Sequence, residues 1–164
     1  MDPDHLGYLI DRYLPALVLF ARQWCRAPED VVQEAFIKLA KQSVQPIHPA
    51  AWLYRAVRNR AISESRAERR RQTHEGKAAA RASLWFTPTE DPAGIDAQAA
   101  TQSLADLPLD QREIVVAHLW GGLTFEQIAE MTGGSAATSW RRYTAGLAAL
   151  RHKMGVPCRT GKTI

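Results

Sequence analysis

"TGGSAATSWRRY", residues 132–143, is the stretch on which the fold turns. A helix running into Gly133-Gly134 meets residues that take the left-handed conformation of a helix end without steric cost. Ser135 then offers a side-chain oxygen to the unpaired N–H groups of a new helix, the N-cap role. That helix sets Trp140 beside Arg141 and Arg142. Helix, short turn and capped helix form a helix-turn-helix, whose second helix enters the major groove with its N-terminal residues at base edges. A plain helical hairpin with a solvated basic face fits the same residues, so the neighbours must decide.

Upstream, Thr124 and Gln127 form a T-x-x-Q capping box ahead of Ile128, Ala129 and Met131. Before it, Pro108 is compatible with a helix start, Leu109, Val116 and Leu119 supply an apolar side, and Gly121-Gly122 end the run. Downstream, Tyr143, Leu147, Leu150 and Met154 recur at spacings of four, three and four, an apolar stripe. With that stripe inward, Thr138, Arg141 and Arg142 fall on or near the outer flank.

The first part of the chain is helical by the same test. Leu6, Ile10, Tyr13, Leu17, Ala21 and Trp24 share one helix face. Pro28 fits a first turn and is followed by Val32, Ala35, Phe36 and Leu39. Pro46 and Pro49 interrupt the chain in "QSVQPIHP", and a long third helix runs from about Ala50 to about Thr73. Periodicity weakens between Glu75 and Gln102, where Gly76, Pro88, Pro92 and Gly94 read as a linker. The expectation is an all-α chain of two small helical domains, 1–75 and 103–155, joined by a flexible linker, 76–102, with a tail, 156–164.

The 164 residues, 46% hydrophobic and 23% charged, have a globular balance. No apolar run approaches the ~18 residues of a membrane span, and Asp2 and Asp4 open the chain where a secretory signal would place basic residues. Cys25 and Cys158 lack ligand spacing, as do His5, His48, His74, His118 and His152, so neither a metal nor a cofactor is expected. A reduced, cytoplasmic setting fits. The tail "GVPCRTGKT" mimics a phosphate loop, but five residues separate Gly155 from Gly161 where that motif needs four.

Charge is strongly segregated. Net charge is −1 over residues 1–49, +6 over 50–82, −7 over 83–130 and +6 over 131–164, giving +4 in all. Two basic blocks on separate helical units point to two anion-binding surfaces. On the third helix Arg55, Arg58, Arg66 and Arg69 fall within ~80° of one another at ~100° per residue. Asn59 and Ile62 lie among them, with Leu53, Val57 and Ala67 opposite. Such a stripe suits backbone tracking, and Trp52 and Tyr54 are candidates for base stacking or for core packing. On the second helix Glu29, Asp30, Gln33 and Glu34 make a strip opposite the Val32/Phe36 face. Paired carboxylates could serve acid–base catalysis, but with no pocket-forming partner in sequence a protein-docking patch is the better reading.

Taken in order, "PEDVVQEAFIKL", "AAWLYRAVRNRAISESRAERR", "LADLPLDQREIVVAHLWGGLTFEQIAEMTG" and "SAATSWRRYTAGLAAL" resemble bacterial RNA polymerase sigma factors of the extracytoplasmic-function group. The resemblance covers about residues 6–73 and 104–154. It implies a non-enzymatic specificity subunit whose first domain binds the polymerase clamp and the minus-10 element and whose second binds the flap and the minus-35 element. It assigns Glu29, Asp30, Gln33 and Glu34 to the clamp, and Arg55, Arg58, Asn59, Arg66 and Arg69 to the melted minus-10 strand. The loop 42–48 would receive a flipped base. Ser135, Thr138, Trp140, Arg141 and Arg142 would meet the minus-35 element. Core polymerase and promoter DNA are the implied partners, with an anti-sigma factor a candidate third. A helix-turn-helix regulator working without polymerase is the main rival, and an RNA-binding protein or a helical enzyme using Asp30 and Glu34 are lesser ones. The acidic strip argues against a regulator, which has no use for it. One departure stands out: the family usually has an apolar residue where Ser139 stands and often a basic one where Trp140 stands. Trp140 therefore either turns inward as the missing anchor or lies beside DNA, and inward or half-buried is the expectation, since exposed tryptophan is uncommon.

Overall fold

A computed structural model describes residues 2–74 and 102–155. The linker expected at 76–102 falls outside them but for Gln102, as does the tail 156–164 with Cys158 and all of the phosphate-loop mimic but Gly155. The described residues are helical: α1 Pro3–Ala21, α2 Pro28–Ala40 and α3 Pro49–His74 make the first unit. In the second, a helical turn at 102–105 precedes α4 Leu109–Leu119, α5 Phe125–Thr132 and α6 Ala136–Lys153.

Helix α1 stops at Ala21, before the periodic Trp24, which instead packs edge-on to Phe20 at 4.9 Å between ring centres. Phe20 also meets Tyr54 at 4.9 Å. Leu17, Phe20 and Ala21 of α1, Val31, Val32 and Leu39 of α2, and Leu53, Tyr54, Val57 and Ala61 of α3 are buried as one core. Tyr54 is thereby removed from any stacking role on DNA, while Trp52 is only partly buried. Burial pushes the Tyr54 hydroxyl far above the ordinary phenol range.

The second unit is assembled by its caps. Gln127 N–H donates to Thr124 Oγ1 at 3.3 Å while Thr124 N–H donates to Gln127 Oε1 at 3.0 Å, completing the expected capping box. Gly133 ends α5 with φ 77°, where a Cβ would be strained. Ser135 Oγ accepts from Thr138 N–H at 3.1 Å and starts α6. An aromatic cluster ties the three helices together: His118 stacks on Phe125 at 4.5 Å and meets Tyr143 edge-on at 4.7 Å. The His118 Nδ1–H donates to the Leu123 carbonyl at 2.7 Å, fixing the ring.

The two units pack against each other, α1 on α4 and α3 on α5, and their cores are continuous. At the seam Gly121 lies flat on Tyr54: a methyl there would come within 2.6 Å of the phenol ring and 2.5 Å of the Ala117 carbonyl.

Candidate nucleic-acid interface

Helix α6 turns the expected Tyr143 and Leu150 toward the core, but its fully buried positions are small residues. Ser139, 2% exposed, and Gly146 are its buried positions, and a Cβ on Gly146 would lie 3.0 Å from Val115 Cγ2 of α4. Tyr143 and Leu150 only flank that line. Successive residues on a helix are ~100° apart. Burying Ser139 therefore turns Trp140 outward, and it is 54% exposed. The expectation of an inward tryptophan is corrected: Ser139 itself takes the buried position, and the indole beside it is left exposed.

The outer face of α6 carries Ala137, Trp140 and Arg141, all exposed, at the capped end of the helix. Arg141 Nη2 donates to Thr138 Oγ1 at 3.2 Å, which orients the guanidinium along the helix start. Arg142 leans toward α4, its Nε 3.1 Å from Asp110 Oδ2. The N–H groups of the first turn, of which Thr138 N–H is taken by Ser135 Oγ, together with the helix dipole and these side chains make this end of α6 an anion-attracting surface.

On α3, Arg55, Asn59, Arg66 and Arg69 are exposed along one side. Arg58 differs. Its Nε donates to Glu113 Oε2 of α4 at 2.9 Å and its Nη2 reaches Oε1 at 3.5 Å, with side chains 22% and 6% exposed. Nothing in local sequence signals this partner, 55 residues away. Burial pushes the Glu113 carboxyl up, and the Arg58 guanidinium pulls it partly back. Arg55 lines a cleft of about 520 Å³ between the units, with His48 and Trp52 on its own side and Glu126, Gln127 and Glu130 of α5 opposite. The loop 42–48 exposes Val44 and Ile47.

The strip on α2 is open. Glu29, Asp30 and Gln33 are exposed, with Val31, Val32, Ala35 and Phe36 buried beneath them. Glu34 is half-exposed and held by Lys38 Nζ at 2.7 Å and Arg60 Nε at 2.6 Å, whose hydrogen bonds keep its carboxyl below the usual range. Glu29 meets Arg22 at 3.3 Å. Cys25 is half-buried, and burial pushes its thiol up to about 11, so it is a poor nucleophile. Among the described residues no helix is long and apolar enough to cross a membrane.

The model of sigma-70 region 2 matches residues 9–71, and that of sigma-70 region 4 matches residues 97–150. The chain is 29% identical over 147 residues to a probable RNA polymerase sigma factor, RfaY, of Xanthomonas campestris pv. campestris, covering 85% of this chain. The match spans only 37% of that relative's length. Among solved structures, the sigma factor RpoE of Bartonella quintana, in complex with the anti-sigma factor NepR, superposes with a TM-score of 0.74 at 23% identity. It covers 96% of this chain and 100% of that one. CnrH, in complex with the cytosolic domain of CnrY, gives 0.57 at 20% identity over 96% and 92% of the two chains. At these identities the likeness is one of fold. With the two regions matched in order on the two helical units, the chain belongs to the sigma-70 family of RNA polymerase sigma factors, region 2 in its first unit and region 4 in its second.

Proposed function

We propose that the chain is a sigma factor of the extracytoplasmic-function type, a cytoplasmic, non-catalytic subunit that recruits core RNA polymerase to a subset of promoters. The observation that carries this is the combination, in one chain, of regions 2 and 4 with an open acid-amide strip on α2, exposed arginines on α3 and a capped, cationic α6. In this reading residues 1–75 dock on the polymerase clamp and hold the minus-10 element, and residues 103–155 dock on the flap and read the minus-35 element.

Glu29, Asp30, Gln33 and Glu34 are the clamp contacts. Glu34 already satisfies Lys38 and Arg60, so docking exchanges internal partners for external ones. Arg55, Asn59, Arg66 and Arg69 neutralise the melted strand, joined by Arg58 once it leaves Glu113. Ser135 and Thr138 offer the α6 start to a phosphate, Arg141 and Arg142 supply charge, and Trp140 supplies apolar area. Each surface is weak alone; joined through one chain and one polymerase they act by effective concentration. The two solved neighbours were captured with NepR and with CnrY, which makes an anti-sigma partner part of the proposal.

Run-off transcription with core polymerase, with and without this chain, tests it: promoter-dependent transcripts are expected only with the chain. Asp30→Ala with Glu34→Ala should abolish co-purification with core polymerase at unchanged helical content; undiminished co-purification refutes the docking assignment.

A further inference from the structure

Helix α2 leaves one large apolar residue on its charged side. Val31, Val32, Phe36 and Leu39 are buried, but Ile37 is 47% exposed. It follows Asp30 by seven residues and Gln33 by four, and it precedes Lys41 by four. At ~100° per residue Asp30, Glu34, Ile37 and Lys41 fall within ~60° of one another. Along α2 that side runs from the acids Glu29 and Asp30, through Gln33 and Ile37, to the bases Lys38 and Lys41, all of them exposed.

A single exposed isoleucine means little by itself; the position of this one gives it weight. Acids in the first turn and lysines in the last suit the helix dipole, and Glu34 holds both Lys38 and Arg60, so the charges have uses inside the chain. Ile37 has none of that kind, for it belongs neither to the core nor to the residues packed against it.

We infer that Ile37 is the apolar anchor of the docking surface on α2, seated in an apolar recess of the polymerase clamp between cationic groups that face Glu29 and Asp30 and an anionic group that faces Lys41. The inference rests on the assignment of the α2 strip to the clamp and adds to it the residue that supplies apolar area. Specific interfaces have an apolar centre ringed by polar groups, and Ile37 stands where that centre belongs. The charge gradient also fixes the sense in which the partner lies along α2, because reversal sets like charges together. Nucleic acid does not fit a face that opens with carboxylates. A second copy of the chain, laid antiparallel, would match the charges, but one half-exposed isoleucine offers little of the ~800 Å² per partner of a standard interface.

The test titrates the core polymerase of the run-off assay into the fluorescein-labelled full chain and reads anisotropy at several salt concentrations. Ile37→Ala should weaken binding about fivefold to tenfold, by the same factor at each salt concentration, since no charge is removed. Ile37→Asn should weaken it further, because an amide would be buried there without a partner. Ile37→Leu should recover most of what alanine loses, and Lys41→Glu should weaken binding most at low salt. Tyr8→Ala removes a side chain that is 60% exposed on α1 and should change nothing. Circular dichroism checks folding. If Asp30→Ala with Glu34→Ala abolishes binding while Ile37→Ala and Ile37→Asn bind as wild type does, the anchor has failed and the strip stands. If the Asp30 and Glu34 variant binds undiminished, the strip has failed and the anchor with it. If sedimentation of the free chain shows a dimer that Ile37→Ala dissociates, the face belongs to a second copy and the inference is overturned.

Discussion

Replacing Trp140 by alanine separates a DNA-facing indole from a packing one. The residue is 54% exposed, and a tryptophan offers up to ~250 Å², so roughly 135 Å² is free to be covered by DNA. At ~25 cal/mol/Å² complete cover would contribute about 3 kcal/mol. Interfaces realise only part of such area, because ordering and desolvation oppose it, so a loss of about 1–2 kcal/mol, roughly fivefold to thirtyfold in affinity, is expected. Helix α6 itself should be unaffected. Alanine is the better helix former, and the Thr144 hydroxyl donates to the backbone carbonyl of residue 140, which the substitution keeps. The assay is fluorescence anisotropy of a minus-35 duplex with the full chain at several salt concentrations. The affinity should fall with the salt slope unchanged, since an indole displaces no counterion. Affinity within twofold of wild type would refute the outward reading of α6. So would a fall in thermal midpoint as large as that from a core truncation.

Three further outcomes follow from the geometry. Arg141→Ala should flatten the logarithmic salt dependence of duplex binding by about one unit, and Arg142→Ala, whose guanidinium is shared with Asp110, by less; equal slopes in all three proteins would contradict a phosphate role. Thr124→Ala breaks the capping box and should cost about 1 kcal/mol in urea unfolding, with Ser135→Ala similar, whereas no change in either would mean that water serves those N–H groups equally well. Glu113 has a pH signature: its carboxyl is raised by burial and by Asp110 and pulled back by Arg58 and Arg142. A group raised above its unfolded value stabilises most below that value, near 4.5, and loses the contribution as pH rises through the folded value. Wild type should therefore lose ground to Glu113→Gln in thermal midpoint as pH rises from the carboxyl's ordinary value of 4.5, and a constant difference between the two proteins would refute the assignment.

What the sequence revealed was local. The capping box at Thr124 and Gln127, the glycine stop at Gly133 and the Ser135 cap are each written within about three residues of the helix end they set, and each appears in the structure as read. The exposure of Glu29, Asp30 and Gln33 was legible for the same reason, since it follows from one period of one helix. The outward turn of Trp140 was not legible, because periodicity registers large apolar residues, and here the buried positions of α6 are Ser139 and Gly146, the latter close against Val115 of α4. Arg58 was misjudged as an open stripe residue because its partner is supplied by another helix, and only the alternation of charged blocks hinted that the units attract. Tyr54 and Trp52 are adjacent and alike in composition; α1, through Phe20, decides that only the first is buried.

The contact of Gly146 with Val115 bears on how this family member could change its target. Because α6 comes close to α4 at Gly146, the placing of its exposed face is set by volume on the inner side rather than by any group on the outer one. Close-packed interiors transmit such changes with little loss. A single methylene added at residue 115 or 146 pushes α6 outward by a fraction of an ångström and carries Trp140 and Arg141 with it. Hydrogen-bonded base recognition discriminates on that scale. Under the proposed function, promoter preference would then drift through substitutions that never touch DNA, and a comparison of recognition residues alone would miss them.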